Sequence, residues 1–307
     1  MSIRSVRRCG PSLLSAAVLV LGLASVAGAQ SSSYDPNPGA LTITGATDFT
    51  NAYMFRGIRQ EEESLIMWPY FDLGIALAST DSGLKTVGVN FGTWNSLHKG
   101  PSGSDGPSGK FWYESDFYTT LSLGFGGGFS FGTTYTSYTS PNNMFSTVKE
   151  IAFKLGEDDS AYLNKFAMKP YALFAFELDT DKGQPHGQAD GGSEAGTYIE
   201  LGIAPGYTWK TGSISVPLKV GLSGSNYYEY NVGTSANPVY QDDTFGYFSI
   251  AGVGTVPLGG TTKFGSWNVH GGIEYQKYGG TLKLINEGLG LDHDYKVIYS
   301  GGIGFSY

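Results

Sequence analysis

Tyr295-Lys296-Val297-Ile298-Tyr299-Ser300-Gly301-Gly302-Ile303-Gly304-Phe305-Ser306-Tyr307 alternates with a period of two. Tyr295, Val297, Tyr299, Gly301, Ile303, Phe305 and Tyr307 share one parity, and Lys296, Ser300, Gly302, Gly304 and Ser306 share the other. Successive strand side chains point to opposite faces, so this is a long strand with one apolar face and one small, polar face. The same alternation recurs upstream. Ile214, Val216, Leu218, Val220 and Leu222 stand against Ser213, Ser215, Lys219 and Ser223, and Phe117, Leu121, Leu123 and Phe125 against Glu114, Asp116, Tyr118, Thr120 and Ser122.

Reading outward in this way predicts twelve strands, at 41–56, 66–79, 85–97, 111–126, 128–139, 147–156, 167–179, 195–209, 213–223, 244–257, 265–278 and 294–307. Most exceed the roughly five or six residues usual in globular sheets. They meet the roughly 9–11 that a membrane-spanning barrel strand needs. Connections after even-numbered strands are mostly tight and contain Gly or Asp, as at 80–84, Gly126-Gly127 and 210–212. Connections after odd-numbered strands are longer and polar, and 98–110, 180–194 and 224–243 are the loops whose role the pattern leaves open. Short turns on one rim and long loops on the other predict an all-β fold: a transmembrane antiparallel up-and-down β-barrel of about 12 strands, with short periplasmic turns and long extracellular loops. Aromatic residues near predicted strand ends (Phe49, Tyr53, Phe55, Trp68, Tyr70, Trp112, Tyr113, Tyr207, Trp209, Tyr275 and Tyr278) are expected in interfacial girdles.

The composition fits such a wall. Mean hydropathy is −0.13, a value that also suits a water-soluble protein. In lipid every backbone polar group must be paired internally, so strands cross only as a closed barrel. A near-zero mean is then the average of a lipid face and a water face. Charged residues are 15% of the chain, below the roughly 25% of average domains. After residue 30 no apolar run is long enough for a spanning helix.

The first residues read as an address. Arg4, Arg7 and Arg8 precede an apolar run from Leu13 to Val26, and Ala27-Gly28-Ala29 is a small-residue cleavage site. The predicted organisation is a cleaved signal peptide at 1–29, a short periplasmic segment at 30–40, and the barrel at 41–307. Cleavage removes the only Cys, so the mature chain uses neither disulfides nor thiol chemistry. It also takes three Arg from a chain of net charge −8. The acidity that remains excludes nucleic acid as a partner, because a phosphate backbone needs a basic face. The partners expected instead are outer-membrane lipid, small solutes and the barrel assembly machinery. The aromatic terminus Phe305-Ser306-Tyr307 looks like the C-terminal signal that machinery reads, carried by Phe305 and Tyr307.

Thr47-Asp48-Phe49-Thr50-Asn51-Ala52-Tyr53-Met54-Phe55-Arg56-Gly57-Ile58 resembles the opening segment of the TorF porin family, whose first strand ends in Tyr-x-Phe-Arg-Gly. Pro69-Tyr70-Phe71-Asp72-Leu73-Gly74 and Val87-Gly88-Val89-Asn90-Phe91-Gly92-Thr93-Trp94-Asn95 are compatible with it, while the long segments 98–110 and 224–243 depart from compact members. The resemblance implies an outer-membrane barrel with a channel role in a Gram-negative-type bacterium, and it lends no catalytic residues.

Parity assigns Asp48, Arg56, Asp72, Glu114, Asp116, Glu150, Lys154, Glu200, Lys219, His270, Glu274 and Lys296 to the lumen. A buried Arg56 needs a carboxylate partner. The surplus of carboxylates favours cations if they stay unpaired, whereas pairing across the lumen would cancel the preference. The function expected is a porin-like channel for passive diffusion of small hydrophilic solutes. The alternatives are a closed barrel acting through its extracellular loops, an outer-membrane hydrolase, and a secreted soluble β protein. The chain reads as no enzyme: His98, His186, His270 and His293 lie in no H-E-x-x-H, and no nucleophile elbow is present. No metal and no cofactor are expected. The loops Asp179-Thr180-Asp181-Lys182-Gly183 and Asp292-His293-Asp294 read as solvated charge, the first lacking the distal Glu of a calcium loop.

Overall fold

The structure, a computed structural model, describes residues 39–100, 110–178 and 194–307. Twelve strands form the wall. They are β1 (Leu41–Thr50), β2 (Ile66–Ser79), β3 (Leu84–His98), β4 (Trp112–Phe125), β5 (Phe129–Thr139), β6 (Val148–Glu157) and β7 (Tyr171–Leu178). They continue with β8 (Thr197–Ile203 and Gly206–Trp209), β9 (Gly212–Ser215 and Leu218–Ser225), β10 (Phe245–Pro257), β11 (Ser266–Tyr278) and β12 (Tyr295–Ser306).

Each strand pairs antiparallel with its neighbours in sequence, and β1 pairs with β12 from Thr44↔Ser306 to Thr50↔Ser300, so the sheet closes on itself. Two further bonds extend this closure: Ile43 and Tyr307 exchange backbone hydrogen bonds of 2.7 Å each. Closure removes the sheet edges that lipid could not satisfy. The breaks in β8 and β9 fall at Pro205 and Pro217, which lack an N–H for the ladder. Their carbonyls still accept, from Val216 N–H at 2.8 Å and Ala251 N–H at 2.9 Å.

The outer face is apolar. Phe71, Phe91, Phe117, Leu121, Leu155, Leu201, Ile214, Val269, Ile273 and Ile303 are all exposed on it. In water so broad an apolar belt would drive association, but in a bilayer it faces its solvent. No described helix is long and apolar enough to cross a membrane. Both described chain ends and the short turns share one rim, called here the short-turn rim, and the longer connections share the other.

Four sequence expectations change. The first strand stops at Thr50 rather than at residue 56. Tyr53–Phe55 and Ile58–Glu61 form a separate two-stranded hairpin that turns into the barrel. Its turn is Arg56-Gly57, with φ of 45° and 84°. Two consecutive positive φ values make the tight turn that matches hairpin twist. The girdle is thinner than expected. Phe49, Trp112, Tyr207, Trp209 and Tyr275 are exposed, but Tyr53, Phe55, Tyr113 and Tyr278 are buried in the interior, and Trp68 and Tyr70 pack against that core. The loop after β11 holds a helix, Gly280–Gly288, where only a polar connection is predicted. Finally, the connection after β6 is a short helical turn, Ser160–Leu163 followed by Asn164–Phe166. The predicted signal peptide, and with it nearly all of the segment 30–40, lies outside the described residues. So do 101–109 and 179–193, which include Asp179-Thr180-Asp181-Lys182-Gly183.

Candidate functional site: an inward hairpin and a polar interior

The hairpin 53–61 occupies the long-loop half of the barrel interior, with Ala52, Tyr53, Phe55 and Ile58 each at most 3% exposed. Tyr53 packs edge-on against Trp68 at 5.4 Å and Tyr113 at 6.4 Å, and its hydroxyl donates to Glu114 Oε2 at 2.7 Å. The Tyr113 hydroxyl donates to Gln60 Oε1 at 2.9 Å. These contacts fix the base of the hairpin to β2 and β4.

The tip reaches the far wall. Arg56 Nη1 and Nη2 donate to the two oxygens of Glu150 on β6 at 2.7 and 2.9 Å, a bidentate pair. Nη1 also donates to the Tyr227 hydroxyl at 2.9 Å. The guanidinium carbon lies 4.2 Å from the Tyr198 ring centroid and 5.3 Å from that of Tyr227. Arg56 and Glu150 side chains are each 2% exposed, and Nε–H finds no acceptor among the described residues. Such a pair is costly to break from one side, because the survivor is a buried, uncompensated charge.

Two loop elements hold the tip from above. Tyr228 donates to the Arg56 carbonyl at 2.8 Å. Asn286, on the helix Gly280–Gly288, donates to the Gly57 carbonyl at 2.8 Å and accepts from Arg59 N–H at 2.9 Å. Leu282 and Ile285 of that helix are buried against the same cluster. Only glycine suits position 57, since a Cβ would press on Leu282 and Tyr247 in a conformation that side chains rarely adopt.

The other candidate residues also turn inward. Glu200 accepts from the Tyr171, Tyr198 and Tyr247 hydroxyls at 2.8, 2.7 and 3.2 Å. Lys154 lies 4.4 Å over the Tyr171 ring. Lys219 lies 3.7 Å from Glu274, which also accepts from Ser249 at 2.6 Å and Gln276 at 2.9 Å. Asp72 accepts from Asn90 at 2.6 Å. Asp116 is buried near Glu114. Lys296 pairs with Glu62, and Asp48 meets His270 at 2.5 Å. The residues therefore fall into two groups. Arg56, Glu114, Asp116, Glu150 and Glu200 surround or belong to the hairpin and are fully buried. Asp48, Lys154, Lys219, His270, Glu274 and Lys296 are part-exposed, and Asp72 is buried beside Asn90.

Sequence reasoning missed Tyr227, Tyr228 and Asn286, which hold the tip from loops read as polar. The aromatic run Tyr227-Tyr228-Glu229-Tyr230, unusual for a solvated loop, was the available signal. His270 has Asp48 on Nε2 and Asn268 Oδ1 2.9 Å from Nδ1, so both ring nitrogens are engaged. Asp294 is taken by Lys277 at 2.6 Å, and that hydrogen bond holds its carboxyl below the usual carboxylate range. His293 stacks on Tyr295 at 5.4 Å. Among the described residues no three His, Cys, Asp or Glu side chains group as metal ligands.

No family model matches the chain, and the comparison with curated proteins finds no match. The TorF resemblance therefore stands on its motif alone. Solved structures similar to this one are outer-membrane barrels. The translocator domain of the autotransporter NalP from Neisseria meningitidis is 12% identical, with a TM-score of 0.38 over 88% of this chain and 89% of that one. The COG4313 outer membrane channel from Pseudomonas putida F1 is 9% identical, with a TM-score of 0.44 over 91% of this chain and 100% of that one. A porin is 10% identical, with a TM-score of 0.33 over 87% and 99%. Scores this low carry no functional argument, and the barrel rests on its own closed ring of hydrogen bonds.

Proposed function

We propose that the protein is an outer-membrane channel for passive diffusion of small hydrophilic solutes, with the hairpin 53–61 as a plug in its extracellular half. In this reading the chain is exported by residues 1–29, has a short periplasmic segment at 30–40, and is inserted through an assembly signal at Phe305 and Tyr307. Its surroundings are outer-membrane lipid, and it carries out no catalysis.

The observation that supports the reading is the gradient along the interior. The middle and short-turn part is lined by polar, part-exposed side chains such as Asn90, Lys154, Lys219 and His270. The long-loop half is packed by a segment that joins the wall only through Asn51-Ala52 and the stretch 62–65. A barrel that needs only a solid core has no use for a wet polar half. Twelve strands also enclose more room than the eight whose interiors side chains fill. A weak cation preference belongs to the same proposal. Arg56, Lys219 and Lys296 each meet a carboxylate, while the Asp72 carboxylate accepts from the Asn90 amide rather than from a cation.

Planar-bilayer recording tests this. The purified barrel should show small or intermittent conductance, and a variant with 53–61 replaced by a short Gly-Ser linker should conduct steadily and several-fold more. A folded, heat-modifiable barrel that passes no current in either form would favour the sealed barrel acting through its loops. Reversal potentials in a salt gradient test selectivity, and anion preference would remove the cation proposal.

A further inference from the structure

We propose that the pocket around Arg56 is a binding site for guanidinium-type cations, occupied in the closed barrel by the protein's own side chain. Its role as a solute site rests on the channel reading, but the site itself does not.

Without the Arg56 side chain, the interior still presents a complete set of partners. Glu150 remains on β6 with both oxygens aimed at the vacated space. One of them keeps the Tyr138 hydroxyl at 3.2 Å, which fixes the carboxylate plane. The Tyr198 ring forms a flat face 4.2 Å from where the guanidinium carbon sat, and the Tyr227 hydroxyl supplies a further acceptor. A forked carboxylate, an aromatic face and a hydroxyl acceptor together match a planar, delocalised cation with paired N–H donors. A compact ammonium would use one carboxylate oxygen and lose the stacking.

The occupant is not part of the wall. Arg56 arrives on the turn of an inserted hairpin, at a φ of 45° that non-glycine residues rarely adopt, and its Nε–H finds no acceptor among the described residues. The site is thus better built than the side chain's approach to it. A diffusible monosubstituted guanidinium reaches the same carboxylate and ring without the turn. It competes with Arg56, and each competition event frees the hairpin tip. Solutes of this class would then be both the ones that open the plug and the ones the open lumen receives.

The test uses Arg56→Ala in the full-length barrel, with folding checked by heat-modifiable migration, and methylguanidinium as the probe. Methylguanidinium should raise the thermal midpoint of Arg56→Ala at concentrations where methylammonium does not, with apparent affinities differing on the order of tenfold. Adding Glu150→Gln should abolish that difference. Equal shifts with methylammonium or sodium, or no shift, would overturn the site. If Arg56→Ala does not fold, the wild-type channel decides: methylguanidinium in the bath should raise its open probability and methylammonium should not, and equal responses overturn the proposal. A barrel that conducts without any guanidinium dependence sinks this inference and leaves the channel intact. Methylguanidinium binding without conductance does the reverse.

Discussion

Asp48 on β1 and His270 on β11 meet at 2.5 Å across the intervening strand β12, directly over the bare Cα of Gly302. A Cβ at that position would overlap Asp48 Oδ1 and His270 Nε2. Gly302→Ala should therefore separate the pair and destabilise the closing strands by about 1–3 kcal/mol. The readout is the temperature at which folded and unfolded forms interconvert on detergent gels. An unchanged transition would mean that the pair slides aside at no cost.

Gly57→Val should displace the hairpin rather than unfold the wall. The position has φ 84°, and a side chain there presses on Leu282 and Tyr247. The expected outcome is raised conductance with strand content kept by circular dichroism. Loss of the barrel signal would show that the hairpin is needed to form the wall.

Asn286→Ala removes two hydrogen bonds between the helix Gly280–Gly288 and the hairpin, to the Gly57 carbonyl and from Arg59 N–H. Each is worth about 1 kcal/mol, with a further penalty for the buried groups left unpaired. Proteolysis of intact cells should cut this loop faster in the variant. Equal rates would assign the loop's order to Leu282 and Ile285 alone.

Asp158, in the turn after β6, accepts hydrogen bonds from the Ser160 hydroxyl and backbone N–H, which hold its carboxyl below the usual range. A depressed folded-state pKa means its contribution is complete above the unfolded value and is lost as pH falls through the folded one. The group is largely exposed, so the effect on stability is small. Ser160→Ala should move the Asp158 titration, followed by carboxyl NMR shifts, upward toward the ordinary carboxylate range. A titration that stays put would show that the backbone N–H alone sets it.

The wall was legible because its signal is redundant. Ile303 and Phe305 outward, with Gly302 and Gly304 inward, repeat a period that every strand confirms. The inward hairpin was not, because Tyr53 and Phe55 keep the parity of Phe49 on β1. An aromatic residue at a strand end suits lipid and a packed interior equally, so parity placed Tyr53 and Phe55 on the wrong side of the wall. The turn Arg56-Gly57 carried the missing information, since a glycine at a tight turn ends a strand. Arg56 did find a carboxylate, as its burial requires, but which one depended on how far the hairpin reaches. The helix Gly280–Gly288 spans too few residues for its period to stand out between two long strands.

The mutual hydrogen bonds of Ile43 and Tyr307 have an entropic consequence. Strand neighbours elsewhere in the ring are near in sequence and can zip locally, but this contact joins the first and last strands of the wall. Closing the ring therefore carries a larger loop-closure cost than any other pairing in this wall, and a ring not yet closed presents two unpaired edges.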